Sequence, residues 1–117
     1  MDFPISVPEH FRIIAHRGAS AYAPENTALA FHLAQEIGCG EVELDVQLCA
    51  DGIPVLCHDR SLEKYGYGNR LIEEMTSQEF LELDMGKWFS PHLFSDTPGL
   101  TLVQLFAAFS SSFVYHI

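Results

Sequence analysis

Residues 12 to 15 open with an arginine and run through Ile13, Ile14 and Ala15 before stopping at His16, Arg17 and Gly18. A short apolar run rich in β-branched residues predicts a strand over 12 to 15. Residues 19 to 25 are small and turn-prone and predict a loop. From Asn26 the period changes. Leu29, Leu33 and Ile37 recur every four residues, with Phe31 and Ala34 widening the stripe, which predicts an amphipathic helix. Asn26 or Thr27 is its expected N-cap and Gly38 or Gly40 its expected end. The segment EVELDVQL at 41 to 48 alternates strictly and predicts a second strand. Ala50-Asp51-Gly52 predicts a turn, and IPVLCHD at 53 to 59 a third strand. Residues 60 to 70 carry Gly66 and Gly68 and read as loop. Thr76 or Ser77 caps a helix running to Leu81, with Glu79 placed for a capping box. A second loop over 86 to 99 holds Trp88, Phe89 and Phe94. A helix is expected over 101 to 109, and 113 to 117 is strand-like. No internal repeat or low-complexity segment interrupts this order. Strands alternating with helices predict an α/β fold.

Composition narrows the classes. The chain has 117 residues, 48% of them hydrophobic, an ordinary globular balance. Sixteen acidic against six basic residues give a formal charge of -10, which excludes nucleic acid as a partner held by counterion release. A phosphate compound would need positive charge supplied locally. Met1 to Phe11 hold neither a basic n-region nor a long apolar stretch, so no signal peptide is expected, and no stretch is long enough to span a membrane. Cys39, Cys49 and Cys57 are odd in number and not arranged as CxxC. They read as reduced thiols in a cytoplasmic compartment.

Candidate chemistry collects near the predicted strand ends. On the strand over 41 to 48, Glu41, Glu43 and Asp45 share one face and Val42, Leu44 and Val46 the other. Two readings stay open. On a surface strand the carboxylates are solvated. In a βα barrel Glu43 and Asp45 point inward, and a divalent cation, Mg²⁺ or Ca²⁺, would offset the cost of burying them. His16 ends the first strand and His58 the third, where barrel enzymes place catalytic groups. Two histidines beside a carboxylate pair suit acid and base roles, and Arg17 suits a bidentate grip on phosphate. Glu25 and Asn26 read as loop-organising residues, with Asn26 favoured as a helix cap. Trp88 and Phe89 read as loop anchors rather than a headgroup pocket. His10, His32, His92 and His116 read as surface or packing residues.

His16-Arg17-Gly18, Pro24-Glu25-Asn26-Thr27, Glu43-x-Asp45, Asp51-Gly52 and His58-Asp59, followed by Met75 to Phe80 and Leu83-Asp84, together resemble the N-terminal half of a glycerophosphodiester phosphodiesterase. The resemblance implies the N-terminal portion of a TIM (β/α)8 barrel, a domain over 11 to 117 cut short at its C-terminus. It also implies metal-dependent hydrolysis of glycerophosphodiesters to glycerol 3-phosphate and an alcohol, in glycerol and lipid metabolism. His16 and His58 are then base and acid, Glu43 and Asp45 metal ligands, and Arg17 a phosphate contact. The family's third metal carboxylate and its following lysine have no counterpart, since no Asp or Glu follows Asp96 and no Lys follows Lys87. Exposed strand edges would favour self-association. A sphingomyelinase-D-like phosphodiesterase and a non-catalytic phosphate-binding fragment are the rival readings.

Overall fold

The computed structural model describes residues 4–117; Met1 to Phe3, part of the segment read for a signal peptide, lie outside the described residues. Three parallel strands form one sheet in the order β1-β2-β5: β1 (Ile14–His16), β2 (Glu41–Glu43) and β5 (Val114–His116). Their register sets Ile14 beside Glu41 and Val114, and His16 beside Glu43 and His116. The helix α1 (Ala28–Ile37) links β1 to β2, and α3 (Leu102–Phe109) precedes β5. The sheet is open at β1 and at β5 among the described residues, so no barrel closes.

The expected strand over 41 to 48 divides. β2 stops at Glu43, and β3 (Val46–Leu48) belongs to a second sheet, where it pairs antiparallel with β4 (Pro54–Leu56). Leu44 and Asp45 lie between them. The alternating pattern reports only which residues alternate, and a bond from the Asn26 side chain to the Asp45 backbone breaks the run. The strand expected over 53 to 59 is therefore an arm of a hairpin, not a barrel stave.

Two apolar clusters form the core. The first packs Phe31 and Ala34 of α1, Leu105 and Phe109 of α3, and Val42, Leu44 and Phe113 around one face of the parallel sheet. The second gathers Cys49, Val55, Cys57, Leu62, Tyr65, Ile72, Met75 and Phe80 beneath the hairpin. Phe80 brings in the last turn of α2 (Ser77–Leu81).

Helix boundaries follow local chemistry. Thr27, not Asn26, caps α1 by accepting from the Ala30 amide, and Gly38 closes it in the left-handed region at φ 93°. Thr76 with Glu79 and Thr101 with Gln104 form capping boxes on α2 and α3. The stripe expected on α1 is rotated: Ala30, Phe31 and Ala34 are buried, while Leu29 is 43% exposed. The cause is a close approach. A Cβ on Gly18, whose φ is +82°, would lie 2.7 Å from the Ala30 Cβ. The loop after β1 thus sits directly on the small-residue face of the helix.

Candidate active site

One face of the parallel sheet is apolar and buried. The other carries Ile14, His16, Glu41, Glu43, Val114 and His116, as the shared register and strand alternation require. The polar positions on β1 and β2 build toward the ends where the chain leaves each strand. His16 Nε2 lies 3.6 Å from Glu43 Oε2. Arg17 follows at φ 61°, a left-handed conformation that costs a non-glycine residue energy and often marks a functional site. Two backbone bonds hold it there: Arg17 N–H donates to Glu43 O at 2.8 Å, and Asn26 N–H donates to Arg17 O at 3.0 Å.

The Arg17 side chain runs between two carboxylates. Nε lies 3.2 Å from Asp45 Oδ2, and Nη1 donates to Glu25 Oε2 at 3.0 Å. Asn26, also left-handed at φ 57°, donates from Nδ2 to Asp45 Oδ2 at 3.1 Å and accepts the Asp45 amide. Asn26 therefore orients Asp45 rather than capping α1. Asparagine tolerates this backbone better than most residues because its amide bonds locally.

His58 arrives from the hairpin side. Cys57 N–H donates to Asp45 O at 3.0 Å, which ties the segment just before His58 to the one that carries Asp45. Gln47 Nε2 donates to Cys57 O at 3.0 Å and Asp59 O at 2.7 Å, bracketing His58 on both sides. His58 Nδ1 is 2.7 Å from Asp59 Oδ1. A carboxylate on Nδ1 fixes the imidazole and turns Nε2 outward as the proton-exchanging atom.

The structure thus brings His16, Arg17, Glu43 and Asp45 together at one sheet end, and links His58 to them through the backbone. Glu41 belongs elsewhere. It accepts from Arg12 through both oxygens and meets His116 Nε2 at 3.0 Å, and these bonds hold its carboxyl down at about 2. His116, expected as surface or packing, is instead an ion-pair partner. Of the other histidines, His32 meets the Phe109 ring edge-on at 4.7 Å, while His10 and His92 are exposed. Trp88 donates from Nε1 to Met85 O and packs edge-on to Tyr65 and Phe89, an anchoring role. The three cysteines are free and buried, and burial pushes the Cys57 thiol up to about 12. Lys64 was not singled out by the sequence. Its Nζ lies 2.6 Å from Glu25 Oε1 and 4.1 Å from the Trp88 ring centre. Its scarcity as a cation in so acidic a chain was the one available signal.

Can these residues hold a metal? Among the described residues no three His, Cys, Asp or Glu side chains form a closed cage. Glu43 Oε2, however, is buried without a hydrogen-bond partner. A buried carboxylate oxygen with no donor is costly, and a hard cation supplies what it lacks. Mg²⁺ binds through one or two carboxylates while keeping water and substrate oxygens, so Glu43 and Asp45 fit it. As a whole the arrangement can grip an anion through Arg17, exchange protons at two imidazoles and seat a cation at Glu43.

Residues 16–115 match the glycerophosphoryl diester phosphodiesterase family. The chain is 43% identical over 74 residues to the glycerophosphodiester phosphodiesterase of Caldanaerobacter subterraneus subsp. tengcongensis, covering 63% of this chain and 30% of that protein. Its fold superposes with a TM-score of 0.82 on the glycerophosphodiester phosphodiesterase of Agrobacterium tumefaciens, at 34% identity over 89% of this chain and 45% of that one. It superposes with the same score on an Oleispira antarctica phosphodiesterase solved in complex with the product sn-glycerol-3-phosphate, at 37% identity over 90% of this chain and 42% of that one. The chain spans about a third of the length of the curated relatives it matches.

Proposed function

The chain belongs to the glycerophosphoryl diester phosphodiesterase family, and from that premise we propose that it serves the metal-dependent hydrolysis of a glycerophosphodiester to glycerol 3-phosphate and an alcohol. The observation that carries this reading is the meeting of Arg17, His16 and a buried Glu43 oxygen without a hydrogen bond at one sheet end. A phosphodiester is an anion with a poor alkoxide leaving group. Arg17 offsets its charge with donors of fixed geometry. His16 takes the proton of the neighbouring glycerol hydroxyl as it attacks phosphorus, and His58 gives one to the departing alcohol oxygen. Water then opens the resulting cyclic phosphate to glycerol 3-phosphate, each imidazole acting from Nε2. Asp59 holds the His58 ring in the tautomer this requires. Glu43 and Asp45 would hold the cation, which stabilises negative charge on the phosphoryl oxygens when bound.

The product named in the Oleispira complex supports glycerol 3-phosphate as the released half. Among the described residues no helix is long and apolar enough to cross a membrane, and the three buried free thiols support a reducing compartment such as the cytoplasm. The family match favours this reading over a sphingomyelinase-D-like one.

The test is release of glycerol 3-phosphate from glycerophosphocholine by the purified chain, with Mg²⁺ and with a chelator. Turnover is expected only with the metal, and His16→Ala is expected to lower it at least a hundredfold. Equal turnover in the chelator would sink the metal assignment, and unchanged turnover in His16→Ala the role of that residue.

A further inference from the structure

Glu25 has no part in the chemistry above, yet it is among the most deeply buried charged groups of the chain, 7% exposed. A carboxylate so placed is costly unless paired, and it is paired twice. Arg17 Nη1 donates to one oxygen at 3.0 Å and Lys64 Nζ to the other at 2.6 Å. Asp45 takes the Nε side of the same guanidinium. Nη1 is thus engaged by a hydrogen bond and Nε lies within ion-pair reach of Asp45 while making no hydrogen bond of its own, and among the described residues Nη2 makes no side-chain hydrogen bond. Lys64 comes from the turn over 63 to 65 on the hairpin side and lies against the face of Trp88, so its own position is fixed by packing.

We propose that Glu25 is a positioning residue for the anion site: it locks the Arg17 guanidinium so that Nη2 faces the phosphodiester, and Lys64 holds Glu25 in the orientation that does so. This rests on Arg17 being the phosphate contact. A free arginine samples many rotamers, and each must be frozen when the anion binds. A guanidinium held beforehand has already lost that freedom, which improves affinity without adding a contact. Lys64 neutralises one of the two carboxylates that flank Arg17, so less of the Arg17 charge is spent inside the protein.

Two readouts on the ¹⁵N-labelled chain test this. The first is the Arg17 guanidinium signal in proton–nitrogen spectra, assigned by its loss in Arg17→Lys. The second is titration with glycerol 3-phosphate in the presence of Mg²⁺, followed by the fluorescence of Trp88, the single tryptophan. The expected result is slowed Arg17 Nη rotation in the wild type and averaged signals in Glu25→Gln, with at least tenfold weaker product binding. Lys64→Met is expected to weaken binding severalfold, and Lys64→Arg to recover most of that loss. A purely structural role would not be rescued in this way, and it would leave the Arg17 signal unchanged in a folded Glu25→Gln. Equal affinity in wild type and Glu25→Gln would overturn the proposal while leaving the anion site standing. No product binding in a folded wild type whose Arg17 signal is slowed would overturn the anion site itself, and the proposal with it.

Discussion

The parallel sheet and the hairpin region solve different problems with different means. The sheet stands on long-range packing. Its short strands are held against α1 and α3 by one apolar cluster, and among the described residues its outer strands keep open edges. The hairpin region is built from local devices: an antiparallel pair, tight turns over 63 to 65 and 72 to 74, a capping box on α2, and its own apolar cluster. The sheet carries the groups proposed to bind charge, Arg17, Glu43 and Asp45. The hairpin delivers His58 and Lys64. The two regions are joined by polar links, among them Cys57 N–H to Asp45 O, Leu56 N–H to Leu100 O and Lys64 to Glu25, and by Leu56, which packs into the sheet's own cluster. The difference teaches that the sheet carries the charge-binding groups and one of the two proposed proton-transfer imidazoles, while the second imidazole arrives on a piece built by different means but packed against the sheet's own cluster through Val46 and Leu56. The geometry between them depends on these bonds together with the packing of Val46 and Leu56 into the first cluster.

The largest effect should come from cutting into the apolar cluster that supports the sheet. Phe109 is 1% exposed and meets Phe31, His32 and Phe113. Phe109→Ala is expected to cost about 3–5 kcal/mol. Hydrogen exchange should show protection lost at β1, β2 and β5 before the second cluster. Uniform loss across both regions would refute the division into two pieces. Next comes the bracket around His58. Gln47→Leu strands the Cys57 and Asp59 carbonyls and is expected to cost about 1–2 kcal/mol, seen in urea unfolding, with amide shifts confined to 57 to 60. Thr101→Ala removes the cap of α3 for about 1 kcal/mol. It should loosen the sheet, whereas Thr76→Ala, equal in size, should loosen only the hairpin side.

The smallest effect is set by pH. Glu41 is held down to about 2 by its bonds to Arg12 and His116. A folded value below the unfolded one gives stability that is complete above the ordinary carboxylate range and drains away as pH falls toward 2. Thermal midpoints from pH 6 to pH 2 should therefore fall less in Glu41→Gln than in the wild type. Equal slopes would show that the ion pair carries no linked stability.

Much of this was legible in the chain. The capping box at Thr76 is local, so sequence spacing suffices to place α2, and the apolar run over 101 to 109 placed α3, whose Thr101–Gln104 box the structure adds. The terminal strand β5 was legible for the same reason, as an apolar run of its own. The family motifs named His16, Arg17, Glu43, Asp45 and His58, and the structure sets the first four at one sheet end. What escaped is non-local. Alternation from Glu41 to Leu48 could not report that the Asn26 side chain binds the Asp45 backbone and divides the run. The four-residue period of Leu29, Leu33 and Ile37 could not report that Gly18 presses on Ala30 and turns the helix. A strand pattern ending in His58 is the same for an antiparallel hairpin as for a parallel stave, so β4 was misplaced. His116 and Lys64 gained their partners only through contacts far apart in sequence, 75 positions for His116 with Glu41 and 39 for Lys64 with Glu25.

The account's central claim is that the two regions act in one reaction, with His16 on the sheet and His58 on the hairpin. The most direct measurement is a cycle of His16→Ala, His58→Ala and the double variant in glycerophosphocholine hydrolysis with Mg²⁺. Groups that serve the same proton-transfer chemistry are non-additive. The account predicts that the double variant is no slower than the worse single one, within about threefold. Multiplied losses would show two independent contributions, and a His58→Ala chain that hydrolyses at the wild-type rate would contradict the claim outright.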